Sequence, residues 1–305
     1  MLRMSNYILS PLLLVLVVQP PGAPPPAPPD TEIFLASLSA RASGLAVGEP
    51  ANITSSPGYD NQPAFTPDGR SILFTSIRGG TQTDIYRYDI ASHVTSRVTE
   101  TPESEYSATI TPDGGHISVI RVEADQTQRL WRFTIDGRQP EVVLANVKPV
   151  GYHAWIDDQT LALFILGQPA TLQLASVSSG ASRVVVSSIG RSLQRIPGRG
   201  TISFVERKPG ADPAAAPTLF VRELDPKTGQ TTPLVNAVGG AREADLAWTP
   251  DGLLLMADKD VLYGWRRGDR EWRKVTDLAA LGLRGVSRIA INAAGDRIAF
   301  VAQPR

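Results

Sequence analysis

The residues best suited to chemistry in this chain are carboxylates, arginines and tyrosines gathered around one histidine. Asp60, Glu105, Glu243 and Asp245 supply hard oxygen atoms, and Arg191, Arg195 and Arg288 supply fixed cations. Tyr59, Tyr106 and Tyr152 add phenols, and Gln62 an amide. His153 is one of three histidines. Beside a carboxylate such as Glu105 it could serve as a general base, and a neutral imidazole can also ligate a metal. The carboxylates could together hold Ca²⁺, but Arg191 and Arg288 are interleaved with them and spoil the cage, so no cofactor or metal is expected. The arginines suit a carboxylate or phosphate, which a planar guanidinium grips at two points. The sequence has no Gly-x-Ser-x-Gly elbow and no cysteine, which removes two common nucleophiles and every disulfide.

These residues stand at fixed offsets from a repeated turn. Pro67-Asp68-Gly69, Pro112-Asp113-Gly114 and Pro250-Asp251-Gly252 each divide two short apolar runs. Proline presets φ at the first corner, aspartate folds back on the backbone, and glycine accepts positive φ, so each reads as a β-hairpin. Worn copies lead into Leu161-Ala162-Leu163, Ile202-Ser203-Phe204 and Ile298-Ala299-Phe300, which makes six hairpins. Their spacing of roughly 40 to 52 residues suits propeller blades. A third strand of alternating pattern and a weaker fourth follow most hairpins, as in Asp84-Ile85-Tyr86-Arg87-Tyr88 and Ser96-Arg97-Val98. The expected fold is therefore all-β, a six-bladed propeller of four-stranded blades. The sixth hairpin lacks its outer strands at the C-terminus. Residues 31–38 match a third strand and 45–53 a fourth, so the N-terminal strands are expected to complete the last blade and close the ring.

Aligned on Phe65, Ile110, Trp155, Ile196, Trp248 and Ile291, the positions five before the anchor are Asp60, Glu105, Val150, Arg191, Glu243 and Val286. Three before it stand Gln62, Ser107, Tyr152, Leu193, Asp245 and Arg288. These positions vary while the turns repeat, as an asymmetric binding rim at a channel mouth requires. Solvated loop polarity is the plainer alternative. Arg78 is expected to pair with Asp84, and Glu123 with Arg129.

The N-terminus has a different composition. Arg3 followed by an apolar run over 7–18 reads as a signal peptide or N-terminal anchor spanning 1–22. Residues 19–30 are a proline-rich linker that favours polyproline II. The propeller is expected over 31–305, with an Ala/Pro-rich loop near 208–217. Thirty basic side chains balance thirty acidic ones, so nothing draws nucleic acid, and the only membrane contact expected is an uncleaved N-terminal anchor.

The segment Phe65-Thr66-Pro67-Asp68-Gly69-Arg70-Ser71-Ile72-Leu73-Phe74, followed by Asp84-Ile85-Tyr86-Arg87-Tyr88-Asp89, resembles the WD40-like PD40 repeat of the TolB-like propeller family. Prolyl oligopeptidases use the same repeat. The resemblance implies a propeller over essentially 31–303, standing alone without the α/β domain that precedes it in TolB. The resulting expectation is a periplasmic or secreted bacterial monomer that is not catalytic. It would bind a protein, peptide or cell-wall component at the channel-mouth face. The alternative is a hydrolase or lyase working through His153 and the rim carboxylates.

Overall fold

The computed structural model describes residues 28–41, 44–80, 82–210, 216–239, 241 and 243–305. The expected signal peptide and most of the proline-rich linker lie outside these residues, as does the middle of the expected loop near 208–217.

The Pro-Asp-Gly turns form by local chemistry. Thr66 Oγ1 donates to Asp68 Oδ1 at 2.6 Å and accepts the Ser71 N–H at 3.0 Å, while Gly69 takes φ of 68°. Thr111 and Asp113, then Thr249 and Asp251, repeat the arrangement with Gly114 and Gly252 at φ of 70° and 83°. A residue with a Cβ would be strained at these corners.

Each turn joins the two inner strands of a blade, and six antiparallel sheets stand around a common axis. Blade one contains Asp60–Phe65, Ser71–Ser76, Asp84–Asp89 and Val94–Arg97 from axis to rim. Blades two to five follow in chain order, with inner strands Ser104–Ile110, Val150–Trp155, Ile189–Arg195 and Leu246–Trp248.

Blade six is built from both ends of the chain. Arg288–Ile291 and Arg297–Ala302 form its inner half, and Glu32–Arg41 pairs antiparallel with the latter, from Glu32 opposite Ala302 to Ser37 opposite Arg297. The outer edge is divided into Gly44–Val47 and Ala51–Asn52, where a single strand over 45–53 was expected. Between them lie Gly48, whose absent Cβ would sit 2.3 Å from Ser37 Oγ, and Pro50, which has no N–H to pair.

The closing strand is packed on both faces. Phe34 joins Leu255, Leu262 and Leu278 of blade five, while Ile33 joins Ile72 and Phe74 of blade one. Both side chains are fully buried, which is worth about 3–6 kcal/mol for the two.

Charge pairs between strands follow the expected pattern in one place and depart from it in another. Glu123 binds Arg129, with Nε to Oε1 at 2.7 Å. Arg78 pairs with Asp60 at 3.5 Å instead of Asp84, lying over the Phe74 and Tyr86 rings, and Asp84 is taken by Arg97 at 2.9 Å.

Candidate functional site: the central channel

The inner strands do not run straight to the axis. Register shifts fall between Asn61 and Ala64, Tyr106 and Thr109, and Val150 and Tyr152, each adding one residue to the inner strand. Gln62 and Ser107 at the first two bulges take φ of 56° and 55°. A bulge breaks two-residue alternation and re-aims what precedes it. Blade four adds two residues between Ile189 and Leu193. Gly190 makes room, since a Cβ there would lie 3.2 Å from Val205 Cβ.

The result is a channel of about 590 Å³ whose wall is a stack of rings. Strand pairing aligns Arg195 of blade four, not Ile196, with the other anchors, because Arg195 faces Ile202 as Phe65 faces Ile72. One ring is therefore Phe65, Ile110, Trp155, Arg195, Trp248 and Ile291. The next is Ala64, Thr109, Ala154, Gln194, Ala247 and Ala290. The third is Gln62, Ser107, Tyr152, Ser192, Asp245 and Arg288. Pro67 and Pro112 also line the cavity, so it reaches the face that carries the hairpin turns.

The third ring ties blades together. Gln62 Oε1 accepts the Ser107 N–H at 2.8 Å, Ser192 Oγ the Leu246 N–H at 3.1 Å, and Asp245 Oδ2 the Ile289 N–H at 3.0 Å. Arg288 Nη2 donates to Tyr152 Oη at 2.8 Å, and its guanidinium lies 5.1 Å from that ring centre. These two residues belong to blades six and three, which are opposite one another, so the contact spans the channel. Asp245 stands 3.8 Å from Arg288, and Arg191 Nη2 donates to Ser287 O at 3.1 Å. Burial pushes the Tyr152 phenol up, but Arg288 and Arg191 outweigh it and the net shift is downward. Burial works against the Arg288 charge, yet Tyr152 and Asp245 more than restore it, and its pKa is raised.

The sequence-selected residues thus divide. Gln62, Tyr152, His153, Arg191, Arg195, Asp245 and Arg288 line the cavity. Tyr59, Asp60, Glu105, Tyr106 and Glu243 do not. Asp60 and Glu105, 1% and 0% exposed, are sealed at blade junctions. Glu105 accepts from Thr99 Oγ1 at 3.1 Å and from Thr101, with Arg121 Nε at 3.7 Å, and its N–H meets Thr83 O across blades one and two. Burial pushes Glu105 up to about 7, against these donors, and Asp60 up to about 6, against Ser76 and Arg78. Tyr59 is buried and its phenol is raised, by burial first. Glu243 binds Arg207 at 2.5 Å.

His153 Nε2 shares a 2.8 Å hydrogen bond with Ser118 of the preceding blade, and Ser118 Oγ also accepts from Trp155 Nε1 at 2.9 Å. No carboxylate reaches His153 among the described residues, and burial depresses it to about 3. Trp248 Nε1 binds Ser203 Oγ of its preceding blade at 2.9 Å in the same way. Sequence reasoning passed over both serines, although each stands at the position where the other blades carry Leu73, Ala162, Leu255 and Ala299. Among the described residues no group of three or more histidines and carboxylates is arranged around a metal position.

Comparison with known proteins agrees with this architecture. The family model described as the TolB beta propeller domain matches residues 31–193. The Tol-Pal system protein TolB of Bordetella pertussis is 71% identical over 28 residues, 9% of this chain. That match spans only 6% of the TolB chain. Among solved structures, a putative TolB from Agrobacterium tumefaciens superposes with a TM-score of 0.66 at 14% identity, covering 91% of this chain and all of that one. An oligogalacturonate lyase in complex with manganese superposes with a TM-score of 0.55 at 15% identity, covering 84% of this chain and 80% of its own. At such identities the likeness is one of fold.

Proposed function

We propose that this chain, which belongs to the TolB β-propeller domain family, is a non-catalytic binding propeller of the bacterial cell envelope, exported and monomeric. Its ligand is a protein, peptide or cell-wall component taken at the channel. The observation that carries this reading is the contrast between scaffold and channel wall. The Thr-Pro-Asp-Gly turn contacts recur around the ring, while the channel positions differ from blade to blade. An asymmetric surface on a rigid symmetric frame is suited to recognising one shape.

The catalytic alternative finds little support at His153. A histidine held neutral down to about pH 3, bonded to a serine hydroxyl and without a carboxylate to orient it, is a weak general base.

The test is capture from a cell-envelope extract by the immobilised chain, beside the same chain carrying Arg195→Glu. The expected result is a partner recovered by the parent and lost by the variant. Identical recovery by both would reject the channel as the binding surface. Turnover of a glycan or peptide substrate by the purified chain would reject the non-catalytic reading.

A further inference from the structure

The geometry points to a more specific ligand, and this step rests on the binding reading above: we infer that the turn-side part of the channel takes the carboxylate end of an apolar ligand, held by Arg195, with Arg191 deeper in the same wall adding to the positive field.

Arg195 is the exception in its ring. The five equivalent positions are Phe65, Ile110, Trp155, Trp248 and Ile291, and one arginine stands among them, exposed. Among the described residues no carboxylate lies within ion-pair distance of Arg195 or Arg191. The wall carries Arg191, Arg195 and Arg288 against Asp245 alone, and Asp245 is occupied by Arg288 and the Ile289 N–H. The chain as a whole is neutral, so this surplus is local. A concave wall with a surplus of one sign of charge focuses such a field on an anion.

Arg191 reaches the channel only because blade four holds two extra residues, and its Nε is buried without a hydrogen-bond partner. Ser107 Oγ and His153 Nδ1, on residues of the same cavity, are likewise unpartnered among the described residues. The apolar requirement comes from the tryptophans. Trp155 and Trp248 commit their N–H groups to Ser118 and Ser203, which fixes the indoles and leaves only their carbon surface for contact. The channel volume of about 590 Å³ falls among sites that enclose small organic ligands.

The experiment uses matched probes that differ only in charge. N-acetyl-Leu-Leu-Phe with a free carboxylate is titrated against its carboxamide by calorimetry, and 4-phenylbutyrate against 4-phenylbutyramide. Either acid should bind roughly tenfold or more tightly than its amide, since a charged hydrogen bond is lost in the latter. A preference confined to the tripeptide identifies a peptide terminus as the source, and one shared by phenylbutyrate identifies the carboxylate in general. Arg195→Gln, at an exposed position, should reduce the preference to about twofold or less, and Arg195→Lys should keep part of it. Equal affinity for acid and amide, or no binding of either acid at about 1 mM, overturns the inference. So does a preference that survives Arg195→Gln combined with Arg191→Gln. If Arg191→Gln fails to fold, the single Arg195 variant decides alone. Envelope capture that succeeds while the acids fail rejects this inference and leaves the binding reading standing. The reverse result rejects the envelope partner and keeps the carboxylate site.

Discussion

Glu105 should make the ring less stable as pH rises, the opposite of what a surface carboxylate pair does. Its side chain is fully buried, and burial lifts it from an ordinary 4.5 to about 7. The unfolded chain exposes it to water, where it returns to its ordinary value. The folded state therefore binds the proton more tightly, and the stabilisation is complete below pH 4.5 and lost as pH rises through 7. At about 1.4 kcal/mol per pH unit between the two values, acidifying from pH 8 to pH 5 should add about 2.5 kcal/mol. Other carboxylates titrate in the same window, so the informative quantity is a difference. Glu105→Gln keeps the side-chain shape and removes the proton equilibrium. Urea unfolding of both proteins at pH 5, 6, 7 and 8 should give a stability gap that changes by about 2.5 kcal/mol in favour of the parent toward low pH. Asp60, lifted to about 6 at the junction of blades six and one, is unchanged in the variant and cancels. A gap that stays constant across this range would show that Glu105 does not titrate as its burial demands, and the reasoning would fail.

Two further outcomes follow from blade-to-blade contacts. Ser118→Ala should cost about 1–3 kcal/mol in urea unfolding because it strands the buried Trp155 N–H, and Trp155→Phe should cost less in that background than in the parent; equal costs in both backgrounds would mean the hydrogen bond contributes nothing. Deleting residues 31–53 removes the closing strand and its two-sided packing on blades five and one, so the truncated chain should lose cooperative thermal unfolding; a sharp transition at the parent's Tm would refute closure as a source of stability.

The fold was legible because its determinants are local. Threonine, proline, aspartate and glycine make the turn by themselves, and a hairpin without its outer strands requires partners from elsewhere in the chain. The channel was legible only in part. Asp60 and Glu105 share the two-residue alternation that would aim them at the axis, and the bulges at Gln62 and Ser107 turn them into the blade junctions instead. A bulge leaves no apolar signature. A weaker signal was present: Thr54 precedes Asp60, and Thr99 precedes Glu105, by the same interval, and both threonines accept backbone N–H groups at 2.9–3.0 Å, from Ile33 and Ile85. That recurrence marks scaffold and not a varied site. In blade four the apolar Ile196 was the natural anchor, whereas the proline is the better guide. Pro197 occupies the place of Pro67, and aligning on it puts Arg195 in the channel ring. Arg191 was found for a different reason than the one that puts it in the wall, since its offset reflects a double bulge.

The contact between Arg288 and Tyr152 gives the two faces of the ring different chemistry. A half-buried guanidinium away from bulk water needs partners, and here they are an acid in the preceding blade and a phenol directly across the axis. The same contact that satisfies Arg288 also spans the channel, and the cavity reaches the turn face at Pro67 and Pro112. Tyr59 lies outside that cavity, and the chain enters the ring beside it: the Thr31 N–H meets Gly58 O at 2.9 Å, and the Asp60 N–H meets Thr31 O at 3.0 Å. Entry point and cavity opening are therefore on opposite faces. A ligand bound through Arg195 would not compete for space with whatever engages the chain ahead of Thr31.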